Sequence, residues 1–172
     1  GLKLCQYLKE KFNLNYKTLM PNNLYGPGDN YDKKNSHFFA SLIRKSVDCM
    51  KNNKTDIELW GTGKPLRELM YVDDLADAIN FFLHKKTNET LINIGSGIEF
   101  SVEHYLKKIL SYLNLNLKIK YNKKMPDGMF RKRLDLSVSK KYGWKPKYSL
   151  EKGIDLTIKD YLKREKSLNK KL

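Results

Sequence analysis

The sequence predicts an α/β fold, and three observations carry that expectation. Short runs rich in β-branched and aromatic residues alternate with longer segments whose apolar residues recur at helical spacing. Gly, Pro, Asn and Asp punctuate the junctions. The chain has 172 residues, 40% of them apolar, which is enough to bury a core.

Taken in order, Leu4, Cys5, Leu8 and Phe12 form an apolar stripe that predicts a helix over 1–12. Gly1 is a poor cap, so this helix is expected to begin upstream. Residues 15–20 read as a strand ending at Pro21, and a Gly/Pro/Asn/Asp-rich loop continues to about Ser36. A helix is expected over 36–50 with Ser36 as its cap. Residues 56–60 and 66–71 read as strands flanking the turn Gly61-Thr-Gly-Lys-Pro65, which is a hairpin signal. Asp73 and Asp74 open the next helix, with acids placed to complement its dipole.

A short buried strand over 91–94 closes at Gly95-Ser-Gly97, and Ser101 with Glu103 starts a helix to about Leu113. Residues 115–121 alternate as a strand does, and Met125-Pro-Asp-Gly128 is a turn. Helices over 137–142 and 150–165 complete the chain. The basic run 163–171 is expected to fray as a tail. No repeat or linker interrupts 1–172, which reads as a single piece.

Composition excludes several classes. The apolar fraction is too high for a disordered chain. No run approaches the roughly 18 apolar residues of a membrane span, so no membrane partner is expected. Cys5 and Cys49 form no CxxC pair, which argues against a disulfide framework or a zinc site and for a reducing, cytoplasmic setting. The start carries Lys and Glu within its apolar pattern and reads as neither a signal peptide nor an initiator. Net charge is +15, which raises nucleic acid as a partner. Yet 29 Lys stand against only five Arg (Arg44, Arg67, Arg131, Arg133, Arg164), spread along the chain. Base-reading contacts favour Arg, so no nucleic-acid role is expected. A positive field also suits a diphosphate ligand.

Few groups offer chemistry. Tyr7 and Lys11 have Tyr-x-x-x-Lys spacing, but among 11 Tyr and 29 Lys this reads as a solvated helix face. His37 follows the long loop at a helix start, and imidazole chemistry there suits either proton transfer or a bond to a local carbonyl. His84 and His104 fall within helices and read as surface or packing residues. Arg67 could clamp a diphosphate or form a surface ion pair. Trp60 could stack on a ring or fill a core, and Asp127 could accept from a ligand or simply make its turn.

Several segments together resemble one family: Met20-Pro-Asn-Asn-Leu-Tyr-Gly-Pro-Gly-Asp-Asn30, Asn35-Ser-His37, Trp60-Gly-Thr-Gly-Lys-Pro-Leu-Arg-Glu68, Tyr71-Val-Asp-Asp-Leu-Ala-Asp-Ala78, Asn93-Ile-Gly-Ser-Gly97 and Pro126-Asp-Gly-Met-Phe-Arg-Lys132. The set is similar to the GDP-L-fucose synthases, NADPH-dependent 3,5-epimerase/4-reductases of the extended short-chain dehydrogenase superfamily. The resemblance implies that this is the C-terminal part of such an enzyme. The end of a Rossmann-type sheet would be interleaved with a smaller substrate-binding α/β domain over 1–172. Members also carry a glycine-rich loop, a catalytic Ser, an epimerisation Cys and a Tyr-x-x-x-Lys pair, which the resemblance puts ahead of Gly1. The fragment alone is therefore expected to be inactive.

Position by position, the resemblance implies that Pro21, Asn22, Asn23 and Leu24 lie along the nicotinamide end of NADP(H), with His37 near that cofactor and acting as acid/base. Lys45, Trp60, Arg67 and Asp127 match positions that contact the GDP-sugar. Lys45 stands where many members carry Arg, and Asn22 replaces a more usual Thr. A homodimer is implied for the full-length enzyme. Rival readings are a GDP-4-keto-6-deoxy-heptose C4 reductase, another nucleotide-sugar epimerase or dehydratase, or a basic nucleic-acid-binding module.

Overall fold

The computed structural model describes residues 1–169 as helices, strands and connecting loops. The chain divides into two compact units, each assembled from three stretches of sequence.

The first unit comprises Gly1–Leu24, Glu68–Ile98 and Arg133–Tyr148. It opens with helix α1 (Leu2–Phe12), which ends at Asn13 in a left-handed conformation with φ 51°. The Lys9 ammonium donates to the carbonyls of Thr87 and Asn88, each at 2.9 Å, and ties the end of α1 down. Strand β1 (Thr18–Pro21) pairs in parallel with β5 (Leu91–Ile94), Thr18 opposite Leu91 and Pro21 opposite Ile94. The strand thus lies nearer the proline than 15–20 predicts. Pro21 is tolerated because it occupies the strand end, where Asn22 takes over the ladder by donating to the Ile94 carbonyl at 3.0 Å. Met70, Ala78, Phe82, Ile92, Ile94 and Trp144 form the core of this unit. Helix α3 (Val72–His84) supplies Ala78 and Phe82 at (i, i+4) spacing. Its buried Asp74 accepts from the backbone N–H of Lys147 at 2.7 Å and of Tyr148 at 3.3 Å. Short helix α5 (Ser137–Lys141) lies nearby in sequence.

The second unit comprises Tyr25–Arg67, Glu99–Lys132 and Ser149–Leu172. Helix α2 (Phe38–Lys51) packs on α4 (Val102–Tyr112), and α4 on α6 (Leu150–Asn169). Strand β3 (Asp56–Trp60) pairs in parallel with β7 (Lys118–Asn122) over its whole length, Asp56 opposite Lys118 and Trp60 opposite Asn122. Phe39, Ile43, Ile57, Tyr105, Leu106 and Ile158 are among its buried side chains. Strand β4 (Leu66–Tyr71) begins here, with Leu66 opposite Arg131 and Arg67 opposite Lys132 of β8 (Arg131–Lys132) in a parallel pair.

Three expectations are corrected. Strands 56–60 and 66–71 do not form a hairpin: β3 pairs with β7 and the start of β4 with β8. The intervening turn is held elsewhere, because Glu103 donates to the Gly63 carbonyl and Val102 to that of Pro65. Pro65 also has no N–H for a returning ladder. The cap of α2 is His37, not Ser36; the first intrahelical bond runs from the Ser41 N–H to the His37 carbonyl at 2.9 Å, one residue later than expected. The short strands β2 (Asn23–Tyr25), β6 (Glu99–Ser101) and β8 are not expected: β2 falls in the expected loop, β6 ends on the expected helix-start residue Ser101, and β8 lies where no element is expected. As for the basic tail, α6 stays helical through Asn169, and Lys170 and Lys171 lie outside the described residues. Ser101 caps α4 as expected, accepting from the His104 N–H at 3.1 Å. No helix among the described residues is long and apolar enough to cross a membrane.

Candidate functional site

The second unit contains a cavity of about 260 Å³. Its walls come from several separate stretches of the sequence. The first turns of α2 contribute Phe38, Ser41, Leu42 and Lys45, which share one helix face because their spacing follows the helical repeat. The end of β3 brings Trp60, the start of β4 brings Arg67, and the turn at 125–128 brings Pro126 and Asp127. The loop before α2 adds Lys33 and Lys34. Four cationic side chains therefore line the cavity against the single carboxylate of Asp127.

Each charged group has a defined setting. Lys45 places its ammonium 4.6 Å from the centre of the Trp60 ring and donates to the Glu58 carbonyl at 3.4 Å. Burial pushes its pKa down, and the Glu58 carboxylate opposes that shift. The Trp60 indole N–H donates to Glu58 Oε1 at 2.8 Å, which fixes the ring while half of the side chain stays exposed. Trp60 is therefore not a core filler. Arg67 spends Nη1 on the Leu66 carbonyl at 2.8 Å and Nη2 on the Asp127 carbonyl at 3.5 Å. Asp127 Oδ1 accepts from the Thr62 N–H at 2.6 Å and Oδ2 from the Thr62 hydroxyl at 2.7 Å. Those two bonds hold the Asp127 pKa below its ordinary value.

His37 lies in this same unit as the N-cap of α2. Its side chain is exposed and does not line the cavity, although its neighbours Ser36 and Phe38 both do. It is close enough to Asp29 to interact electrostatically; burial raises the Asp29 pKa, and the Asn30 N–H and His37 oppose the rise.

Pro21, Asn22, Asn23 and Leu24 belong to the first unit. Leu24 packs against its core, and Asn23 Nδ2 donates to the Glu68 carbonyl at 3.4 Å. The Asn22 side chain differs: Oδ1 and Nδ2 are both buried and neither has a hydrogen-bond partner. An orphaned amide of this kind is costly, and its paired donor and acceptor fit another carboxamide. That chemistry suits the nicotinamide end of a dinucleotide. Close by, the fully buried Glu68 accepts from the Gly97 N–H at 2.7 Å and from the Leu134 N–H at 3.4 Å.

The structure thus gathers Lys45, Trp60, Arg67 and Asp127 around one cavity. Sequence reasoning missed Lys33 and Lys34, which cannot be told apart from 27 other lysines. It also missed Ser41 and Leu42, although their spacing from Phe38 and Lys45 is a readable signal. Tyr7 and Lys11 are not arranged for proton relay: the Lys11 ammonium sits over the Tyr7 ring, 5.4 Å from its centre.

Residues 1–95 match the NAD dependent epimerase/dehydratase family. The chain is 36% identical to a probable GDP-L-fucose synthase 1 of Oryza sativa subsp. japonica, covering 99% of this chain and 52% of that protein. It is 38% identical to a GDP-L-colitose synthase of Yersinia pseudotuberculosis, covering 93% and 53%. Among solved structures it resembles a GDP-mannoheptose C4 reductase from Campylobacter jejuni with NADP bound, with a TM-score of 0.79 and 25% identity over 94% of this chain and 57% of that one. The chain spans about half the length of the curated relatives it matches.

Proposed function

The chain belongs to the NAD dependent epimerase/dehydratase family, and from that premise we propose that it is the substrate-binding part of an NADPH-dependent 3,5-epimerase/4-reductase acting on a GDP-4-keto-6-deoxy sugar. The observation that carries this reading is that Lys45, Trp60, Arg67 and Asp127 line one cavity. The names of the rice and Yersinia relatives, both synthases of GDP-linked L-sugars, favour it.

In this reading Arg67 and Lys45 hold the diphosphate, and Lys33 and Lys34 add to the positive field. The cavity is smaller than the roughly 300–1,000 Å³ typical of whole-ligand sites, so it takes part of a long ligand. The exposed face of Trp60 stacks on a ring of that ligand, and the lone pairs of Asp127 not used by Thr62 accept from its hydroxyls. A carbonyl at C4 acidifies the hydrogens at C3 and C5. His37 removes or returns one of those protons, and an opposite-face partner comes from the part of the protein beyond this chain. Pro21, Asn22, Asn23 and Leu24 would hold the nicotinamide end of NADP(H), Asn22 through its unpaired amide. When bound, NADPH supplies the hydride that reduces the C4 carbonyl. The full-length enzyme is proposed to be a homodimer, with the exposed Leu4, Tyr7 and Phe12 of α1 as candidate contact residues.

A second reading, reduction at C4 of a GDP-heptose without epimerisation, is favoured by the Campylobacter structure. Turnover of the full-length enzyme in D₂O separates the two. The first reading expects deuterium at C3 and C5 of the product, and the second expects none at either carbon. The 172-residue chain alone should show no GDP-sugar-dependent NADPH oxidation; turnover by this chain would refute its role as a part only.

A further inference from the structure

We propose that Thr62, which does not itself line the cavity, is a positioning residue of this site. It clamps the Asp127 carboxylate and thereby holds the wall on which Arg67 meets substrate phosphate. The proposal rests on the substrate reading above.

The clamp joins loops 65 residues apart in sequence. Thr62 donates twice, N–H to Oδ1 at 2.6 Å and hydroxyl to Oδ2 at 2.7 Å, so the carboxylate is held by both oxygens and cannot rotate freely. The hydroxyl is fixed in turn, accepting from the Lys64 N–H at 3.3 Å. Close approach is built into the turn. Gly61 sits at φ +71°, and a Cβ there would fall 2.1 Å from Asp127 Oδ1. The Gly61 N–H donates to the Asn122 carbonyl at 3.0 Å, and the same carbonyl accepts from Met125 at 3.1 Å, so both turns share one anchor.

The far side of the clamped loop meets the guanidinium. Arg67 Nη2 reaches the Asp127 carbonyl at 3.5 Å and would lie 3.6 Å from a Cβ on Gly128. Thr62 therefore acts on Arg67 through Asp127. It leaves about half of the carboxylate's four lone-pair sites for ligand hydroxyls. Its two bonds also stabilise the ionised form, in line with the lowered pKa of Asp127.

The test is calorimetric titration of the full chain with GDP, for the wild type, Thr62→Val and Thr62→Ser. A parallel ¹³C titration follows the Asp127 carboxyl in each protein. Valine keeps the shape and the backbone N–H but loses the hydroxyl, whereas serine keeps both donors. Thr62→Val should weaken GDP binding about fivefold, the net value of one ordinary hydrogen bond. Thr62→Ser should restore it, and Asp127 should titrate at higher pH in the valine variant than in the other two. Wild-type and Thr62→Val chains that bind GDP equally would overturn the proposal. So would a serine variant as weak as valine with an unmoved carboxyl titration. A wild-type chain that binds no GDP overturns the substrate reading and the positioning role with it. A shifted Asp127 titration would then mark Thr62 as a loop contact only.

Discussion

Asp74 and Asp127 accept nearly the same hydrogen bonds and titrate in opposite directions. Asp74, in the first turn of α3, is 1% exposed and takes two backbone N–H groups, from Lys147 and Tyr148. Burial nevertheless raises its pKa, outweighing both bonds. Asp127 is exposed and takes an N–H and a hydroxyl from Thr62, and there the bonds win and its pKa falls. Two bonds do not offset the desolvation of a carboxylate inside a core, whereas in the open they decide its charge. Asp74 thus reads as a tie within the first unit, and Asp127 as an anion kept available on the wall of a cavity in the second.

The largest expected effect lies on the buried side. Asp74→Ala strands two backbone N–H groups and should cost roughly 2–4 kcal/mol in urea unfolding followed by Trp144 fluorescence. Asp74→Asn keeps an acceptor without the desolvated charge and should cost much less; equal losses would break the contrast with Asp127. Next in size is the pH response. The folded-state pKa of Asp127 is depressed, so its contribution to stability is complete above the unfolded-chain value and lost as pH falls through the folded one. The folded-state pKa of Asp74 is raised, so stability declines as pH rises from the unfolded-chain value through the folded one. Carboxyl ¹³C shifts should therefore show Asp127 still ionised at a pH where Asp74 is protonated, and the reverse order would contradict the account. The smallest effect is at the rim. Lys33→Ala and Lys34→Ala should each weaken GDP binding only about twofold and flatten its salt dependence.

Helices were the most legible part of the fold. The periods of α2 and α4 and the Ser101 cap follow from local rules, and the structure keeps them. The hairpin was misread because two glycines and a proline between two strands look like a turn. The true partner of β3, at Lys118–Asn122, lies far beyond any local pattern. Strands of two or three residues such as β2, β6 and β8 are too short to show a period. At the site, Lys45, Trp60, Arg67 and Asp127 could be singled out through their motifs. Thr62 could not, since its role depends on a bond across 65 residues. Nor could the buried, unpaired state of the Asn22 amide, which only packing reveals.

The most direct measurement is a GDP titration of the isotopically labelled chain followed by NMR. The account predicts saturable shifts for the Trp60 indole N–H, the Arg67 guanidinium and the backbone of Lys45 and Asp127. Saturation that leaves those four groups unmoved, or shifts confined to lysines remote from them, would contradict it.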